Sequence, residues 1–308
     1  MTDNPSSVAN ANVVSGRGVL AIVAMVGSAA CWGFSTVMSR DLLNTVPPLQ
    51  LLVIQLVASV VALAGLALPH SPRHFRSPRL WRASTIGILE PGLTYSIGLV
   101  GLSLTTAGSA SVIGATEPIM IVVIAWLFLR QQPSLRLGIC IVIAVVGLLL
   151  VSGETLLGAG QGSAAGDGLI VLATFSAATY VVLSARVAGH FPAATLALAQ
   201  QLAGLVFVLA VAGAVLAAEI EPLVLGDLSL STLAYAAASG VVQYAIAFWL
   251  YLIGLRYLTP GAAGLWLTLV PVFGIFGAFV WLNEIPTAVM ITGAVLIIGA
   301  VLVGRDEN

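Results

Sequence analysis

The hydrophobic positions of this chain fall into ten apolar runs. Most runs approach the length of about 20 residues that an α-helix needs to cross ~30 Å of hydrocarbon. Prolines, glycines and polar residues separate the runs, as at Pro47-Pro48, and such residues favour turns. The pattern therefore predicts ten transmembrane helices. The predicted spans are residues 18–40, 48–69, 82–104, 107–129, 135–153, 167–188, 193–218, 229–255, 261–282 and 287–304.

Composition separates this chain from soluble proteins. Hydrophobic residues make up 59% of it and charged residues only 7%, whereas a soluble domain has roughly 25% charged residues. A soluble fold would lack the charge that its surface requires, but a protein embedded in lipid has no such requirement. The predicted class is therefore an all-α integral membrane protein that contacts the lipid bilayer. The net charge of −1 implies no nucleic acid partner.

The basic residues, all of them arginines, give the predicted spans a direction. If residue 1 lies in the cytoplasm, only Arg40 falls on the outer side. This asymmetry follows the positive-inside rule, and it would be lost if a span were missed or added. We therefore expect a multi-pass protein of a bacterial inner (plasma) membrane, with both termini in the cytoplasm. The inner arginines are Arg17, Arg73, Arg76, Arg79, Arg82, Arg130, Arg136, Arg186, Arg256 and Arg305.

The chain matches itself at a spacing of 153 residues, so that each half contains five predicted spans. Because five is odd, the second half enters the membrane from the opposite side, and the repeats are predicted to be inverted. Inverted repeats are typical of transporters that bind substrate near the midplane. We expect two five-helix repeats around a central cavity, at 18–155 and 166–304, with cytoplasmic tails at 1–17 and 305–308. Matching pairs include Gly87 and Gly240, Gly101 and Gly254, and Pro118 and Pro271.

The second half carries two segments that resemble a known repeat. Leu252–Ala263 reads LIGLRYLTPGAA, and Leu269–Phe273 reads LVPVF. They resemble the EamA repeat of the drug/metabolite transporter superfamily, and the overall pattern is most similar to the YddG-type bacterial amino acid exporters. The resemblance implies a basket-shaped bundle whose central cavity can open to the periplasm. The first half departs from the family pattern at Leu129-Arg130-Gln131, where a Leu-x-Glu ending is usual.

Two acidic residues lie deep within predicted spans, Glu90 about 12 Å along the third span and Glu117 near the midplane of the fourth. A charge at the bilayer centre costs ~2.5–3.5 kcal/mol, so each side chain should face the interior of the bundle. Each acid precedes a proline that bends its helix, and we expect Pro91, Pro118 and Pro271 to act as hinges. The acids are candidates for binding substrate or a proton. A buried structural hydrogen bond of the protonated acid is the alternative.

Other polar and aromatic side chains inside the spans would complete a binding cavity. Gln243 lies on a face of the eighth span that corresponds to the face bearing Glu90. The aromatic candidates offer apolar walls with polar tips, and plain packing is the alternative for each of them. These candidates are Trp32, Tyr95, Tyr180, Tyr244 and Trp266.

The residue types that are missing from the predicted spans exclude several classes of substrate and of reaction. No arginine or lysine lies deep in a span, which argues against phosphorylated substrates, since these need charge-assisted bonds. The histidines fall in connecting segments without metal-ligand spacing, so no metal and no cofactor is predicted. No pairing of nucleophile and base suits a membrane enzyme, so no catalytic residue is predicted. Neutral, zwitterionic or cationic small molecules fit best.

The leading prediction is a transporter, not an enzyme, that exports amino acids and related small metabolites. Aromatic and neutral amino acids are the expected substrates, and the halves would rock to give alternating access. The alternative is a proton-coupled exporter of cationic drugs, in which Glu90 or Glu117 exchanges a proton for the cation. A channel and a duplicated protein without a transport role also remain open. The sequence leaves the oligomeric state open, and a monomer is compatible with either transport mechanism.

Overall fold

The part of the chain that the structure describes is almost entirely helical, and no strand occurs in it. This agrees with the predicted all-α class. The predicted tail at 305–308 lies outside the described residues, and α-helix is already present at Pro5, within the predicted tail at 1–17. The computed structural model describes residues 5–105, 110, 113–152, 163–220, 222, 224, 226, 228–283 and 285–304.

The first half of the chain contains six described α-helices. A 3-10 turn at Thr85–Ile88 and a π-helical turn at Leu89–Leu93 join the third of them to the fourth. Within the predicted span at 107–129, the described residues 110, 113 and 114 are helical, a turn follows at 115–116, and a further α-helix begins at Glu117. The helices are α1 (Pro5–Leu42), α2 (Pro48–His70), α3 (Pro78–Ser84), α4 (Thr94–Leu104), α5 (Glu117–Leu129) and α6 (Leu135–Val151).

The second half contains seven described α-helices. A π-helical turn at Val241–Ile246 joins the third helix of this half to the fourth. The helices are α7 (Ala164–Ala188), α8 (Ala193–Ala217), α9 (Leu230–Gly240), α10 (Ala247–Gly254), α11 (Pro260–Leu267), α12 (Val270–Leu282) and α13 (Ala288–Gly304).

Apolar helical segments lie within each predicted span, but only some of them are long enough to cross a membrane. Seven segments of the described chain are long and apolar enough to cross a bilayer. The remaining apolar helices α5, α6 and α13 have 13, 17 and 17 residues. The protein is therefore a multi-pass membrane protein, while the count of ten crossings stays a prediction. The seven segments are Gly16–Leu42, Pro48–His70, Pro78–Leu102, Ala164–Ala188, Ala193–Ala217, Leu230–Gly254 and Pro260–Trp281.

The outer surface of the bundle is apolar, as a lipid-facing surface must be. Phe128, Leu127 and Val295 are 68%, 63% and 62% exposed. Exposed apolar residues of this size occur on most of the helices, whereas soluble monomers rarely expose large continuous apolar patches. This surface is therefore suited to contact with lipid and not with water.

The two halves keep the same register at an offset of 153 residues. Helix α12 begins 153 residues after α5, and both end at a residue with left-handed backbone, Arg130 (φ 55°) and Asn283 (φ 56°). The π-helical turns also correspond, because Leu89–Leu93 matches residues 242–246. The sequence repeat is therefore also a repeat of local backbone geometry.

Each half of the chain packs against the other through the same pair of helical segments. A methyl group added to Gly87 would overlap the carbonyl oxygen of Gln200 in α8. One added to the matching Gly240 would overlap the carbonyl oxygen of Gln55 in α2. The kinked third segment of each half thus packs against the second helix of the other half, and glycine permits that close approach.

Candidate functional site

A cavity of about 320 Å³ lies between the helices of the two halves. This volume is within the range of roughly 300–1,000 Å³ that is usual for small-molecule sites. Its wall is formed by both π-helical turns together with α1, α4, α5, α6, α7, α10, α11 and α12. Five of the predicted site residues line it, namely Trp32, Glu90, Tyr95, Glu117 and Gln243, as do the predicted hinges Pro118 and Pro271.

Both deep acids lie where a proline interrupts helical structure. Glu90 has extended backbone (φ −147°, ψ 124°) inside the turn that joins α3 to α4, because a proline disfavours helical geometry at the preceding residue. Glu117 is the first residue of α5, and Pro118 occupies the first turn, where a proline costs no hydrogen bond. The prolines thus place the two carboxyl groups at helix breaks that open into the cavity.

The two carboxyl groups have no partner within the described chain. Neither Glu90 nor Glu117 accepts a hydrogen bond or forms an ion pair there, and none of the described lining residues is an arginine or a histidine. The two residues line the same cavity. Two like charges in an apolar surrounding repel one another, so a cation or a proton that enters this cavity is stabilised.

Two aromatic residues that line the cavity, Trp32 and Tyr251, carry polar groups without a hydrogen-bond partner in the described chain. The rings of Trp32 and Tyr251 meet edge-on, with 5.4 Å between their centroids and an interplanar angle of 64°. The indole Nε1 and the Tyr251 hydroxyl are buried, and neither has a hydrogen-bond partner in the described part of the chain. Buried polar groups usually find partners, so these two donors are an exception among the residues that line the cavity.

A chain of hydrogen bonds holds Gln243 at the edge of the cavity. Ser39 donates to Oε1 of Gln243 (3.0 Å), and Gln55 donates to the hydroxyls of Ser39 and Ser239 (2.9 Å each). Nε2 of Gln243 donates to the hydroxyl of Tyr244 (3.3 Å). The amide is therefore fixed in orientation before any ligand binds.

Four predicted residues lie behind the cavity wall instead of in it. Tyr180 is 1% exposed and donates to Gln200 (3.0 Å), while Tyr244 is 2% exposed and packs against Tyr95. Trp266 is 5% exposed in α11, between lining residues. Pro91 packs against Gly204 of α8. These side chains support the wall without contacting the open space.

The sequence analysis did not select four polar residues that line the cavity, Thr36, Ser152, Tyr251 and Thr268. Of these, Tyr251 lies eight residues after Gln243 on the same segment, but that spacing alone does not place the two side chains on one face of a regular helix. The three hydroxyl side chains carry no signal in the sequence, because serine and threonine are common inside membrane helices, where they bond to the preceding turn. Thr36 and Thr268 do so, with Trp32 and Leu265 as acceptors.

The cavity extends towards the end of the bundle at which α1 and α6 end. Thr36, an exposed lining residue, lies near the end of α1, and Ser152 follows the end of α6. Leu255, one turn after Tyr251, and Ala263 and Leu265 of α11 are 3%, 0% and 0% exposed.

Comparisons with known proteins agree with this architecture. The model of the EamA-like transporter family matches residues 19–153 and 164–304, one match for each half of the chain. A solved structure described only as "Crystal structure of protein" superposes with a TM-score of 0.76 at 18% identity. The alignment covers 92% of this chain and 96% of that one, and at this identity it shows the fold alone. The search of curated proteins gave no match.

The family model matches once in each half of the chain, and the two matches together cover nearly all of the predicted membrane-spanning sequence. The helices are apolar on the outside, and the cavity between the halves has the size and polarity of a small-molecule site. This protein therefore belongs to the EamA-like transporter family and is a multi-pass membrane transporter.

Proposed function

We propose that this transporter exports amino acids and related small metabolites that carry an ammonium group, by alternating access. The observation that carries the proposal is a cavity with two carboxyl groups, two unpaired hydrogen-bond donors and no described cation. An ammonium group would bind at Glu90 and Glu117. A carboxylate or carbonyl group would accept from Trp32 Nε1 and the Tyr251 hydroxyl, and the aromatic wall would hold an apolar side chain.

The internal repeat supports alternating access as the mechanism. Five predicted spans in each half give an inverted arrangement, and the reciprocal packing of Gly87 on Gln200 and Gly240 on Gln55 supports it. Transporters of this type bind substrate between the repeats and rock them to expose the site to each side. The breaks at Pro118 and Pro271 lie in the cavity wall, where rocking would need flexible backbone.

The arginine distribution supports export as the direction. With both termini in the cytoplasm of a bacterial inner membrane, the end of the cavity beside Thr36 faces outwards. Substrate would enter from the cytoplasm in the opposite conformation and leave at this end. A monomer contains the whole cavity, so the mechanism requires no second subunit.

A proton-coupled exporter of cationic drugs is the second candidate, and the pair of carboxyl groups favours it. Glu90 and Glu117 share one cavity without a described basic residue. A cation that enters would displace protons from them, and proton return from outside would drive its release. An amino acid, by contrast, brings its own carboxylate into a cavity that already holds two acids.

Transport into proteoliposomes tests the first proposal. The purified protein is assayed with labelled neutral, aromatic, basic and acidic amino acids and with a cationic dye, each with and without a pH gradient. We expect exchange of neutral and aromatic amino acids without a gradient, and none of acidic ones, because their extra carboxylate meets Glu90 and Glu117. Inactivity towards every amino acid, with gradient-driven dye transport, would replace the first proposal by the second.

Charge-neutral variants test the site. Glu90→Gln and Glu117→Gln should each weaken binding of the ammonium group about 10- to 100-fold, since a charge-assisted hydrogen bond contributes about 1.5–3 kcal/mol. Asp41→Asn is the matched control, because it removes an exposed carboxylate outside the cavity. Equal effects of all three variants would show that the cavity acids have no special role.

A further inference from the structure

A second site, independent of the transport cavity, lies at the other end of the bundle. A groove of about 600 Å³ is found where α3 meets the turn between α7 and α8. Its rim includes Arg79, Arg82 and His190, and none of the described residues that line it is acidic. Arg73 and Arg76, on the adjoining turn, are exposed as well. The groove therefore has a concentrated positive charge.

The two rim arginines are free to bind an anion. Both guanidinium groups are exposed, and within the described chain neither forms an ion pair. They are three residues apart on α3, a spacing that puts side chains on the same face of a helix. A guanidinium group matches the geometry of a phosphate and can bind it through two parallel hydrogen bonds.

The rest of the groove is apolar. Ile86, Val187 and Phe191 form its wall beside the charged rim. Phe191 is 9% exposed and is held in place by an edge-on contact with His74, with 6.5 Å between the ring centroids. A free phosphate would use the rim and leave this wall uncovered. A ligand that matches the whole groove has an anionic head and a hydrocarbon tail.

The groove also lies at the level of a membrane surface. Helix α3 begins the segment Pro78–Leu102, which is suited to cross a bilayer, and α7 ends at Ala188, beside the groove. Trp81, between the two arginines, is 46% exposed and donates its indole N–H to the carbonyl of Phe75 (2.9 Å). Exposed tryptophans are enriched at membrane interfaces. Lipid headgroups are thus the anions closest to the rim.

We propose that this groove binds an anionic phospholipid, with its phosphate on Arg79 and Arg82 and an acyl chain along Ile86, Val187 and Phe191. Basic pockets between membrane helices are suited to such headgroups. A lipid bound here would link α3 to the turn between α7 and α8, and so would join the first half of the chain to the second.

Native mass spectrometry of the full-length protein tests the proposal. The detergent-solubilised protein is titrated with phosphatidylglycerol and with phosphatidylcholine of equal chain length. We expect preferential binding of phosphatidylglycerol, and a loss of about 25-fold in its affinity in R79Q/R82Q, at about fivefold for each arginine. The variant R79K/R82K, which keeps the charge but loses the planar fork, should lie between the two.

The control variant is R17Q/R256Q, which removes two exposed arginines that lie outside the groove on the same predicted face. We expect it to change phosphatidylglycerol affinity by less than about twofold, because diffuse surface charge is largely screened beyond the Debye length. Equal losses in R79Q/R82Q and R17Q/R256Q would overturn the proposal. So would equal binding of the two lipids by the unmodified protein.

A second arm distinguishes a lipid from a soluble phosphate. Glycerol 3-phosphate has the headgroup phosphate without acyl chains, and we expect a tenfold excess to displace no bound phosphatidylglycerol. Displacement would show a site for soluble anions and would refute the lipid assignment. Both arms use lipid binding as the measurement, so the outcome does not depend on whether the proposed transport substrate is correct.

Discussion

The substitution Tyr251→Phe separates ligand binding from folding in this transporter. The Tyr251 ring is 1% exposed and packs edge-on against Trp32. Tyr251 lines the cavity, and its hydroxyl is buried without a hydrogen-bond partner in the described chain. Phenylalanine retains the ring and its contacts and removes only the hydroxyl, so any effect on binding is due to that one group.

Tyr251→Phe should weaken substrate binding without destabilising the folded protein. No hydrogen bond to the described protein is lost, and a buried polar group without a partner costs about 1–3 kcal/mol, so the free energy of unfolding should stay constant or rise. A bound substrate loses one hydrogen bond, worth about 0.5–1.5 kcal/mol. Its Kd should therefore increase about 2- to 13-fold.

Tyr180→Phe is the matched control. Tyr180 is buried to the same extent, but its hydroxyl donates to Oε1 of Gln200 (3.0 Å) and does not line the cavity. This variant should lower the free energy of unfolding by about 1 kcal/mol, since it breaks a buried hydrogen bond, and should leave the Kd unchanged. Thermal unfolding in detergent and equilibrium binding of a transported amino acid measure the two quantities.

Two results would refute this reasoning. If Tyr251→Phe lowers the unfolding temperature as much as Tyr180→Phe does, the Tyr251 hydroxyl has a structural role. If Tyr251→Phe binds substrate as tightly as the unmodified protein, the unpaired hydroxyl is not part of the binding site.

Two further predictions concern packing and topology. Gly87→Ala should destabilise the protein by about 1–3 kcal/mol, as measured by thermal unfolding, because the added methyl group overpacks against α8. The control Gly65→Ala should be neutral or stabilising, because no atom lies within 4 Å of its added methyl group. Equal effects of the two variants would contradict the helix packing. The topology is tested with single cysteines in a cysteine-free background and a membrane-impermeant thiol reagent. A cysteine in place of Asn44 should react in intact cells, and a cysteine in place of Arg79 should react only after permeabilisation. Reaction of both in intact cells would overturn the ten-span topology.

The membrane class and the deep acids were predictable because their signals do not depend on the details of folding. Long apolar runs with little charge cannot form a soluble surface, and the EamA-like family match confirms the interpretation as a membrane transporter. A carboxylate inside a span is costly wherever it lies, so Glu90 and Glu117 were identifiable from position alone. Both line the cavity. The ten crossings and the inversion of the repeats remain predictions.

The choice between Tyr244 and Tyr251 was not predictable, because a π-helical turn changes the phase of the helix. In a regular α-helix, residues eight apart differ by about 80° around the axis. The π-helical turn at Val241–Ile246 adds about one residue to a turn, so residues eight apart come back to nearly the same face. Gln243 and Tyr251 therefore share the cavity, while Tyr244 is buried behind it.

The repeat also shows where the charge of Glu90 can be moved. Gln243 follows Glu90 by 153 residues, belongs to the matching π-helical turn and lines the same cavity. In the variant E90Q/Q243E the carboxylate changes places but stays in the cavity, and it can still accept the hydrogen bond that Ser39 donates at 3.0 Å. Substrate recognition that depends on the charge of the cavity should then be restored in part.

We expect this double variant to bind a transported amino acid at least about tenfold more tightly than Glu90→Gln alone, which loses one charge-assisted hydrogen bond of about 1.5–3 kcal/mol. Equilibrium binding to the purified variants measures the difference, and Gln243→Glu alone is the control for a third acid. If E90Q/Q243E binds no better than Glu90→Gln, the position of the carboxyl group at the helix break is essential, and the charge of the cavity is not sufficient for recognition.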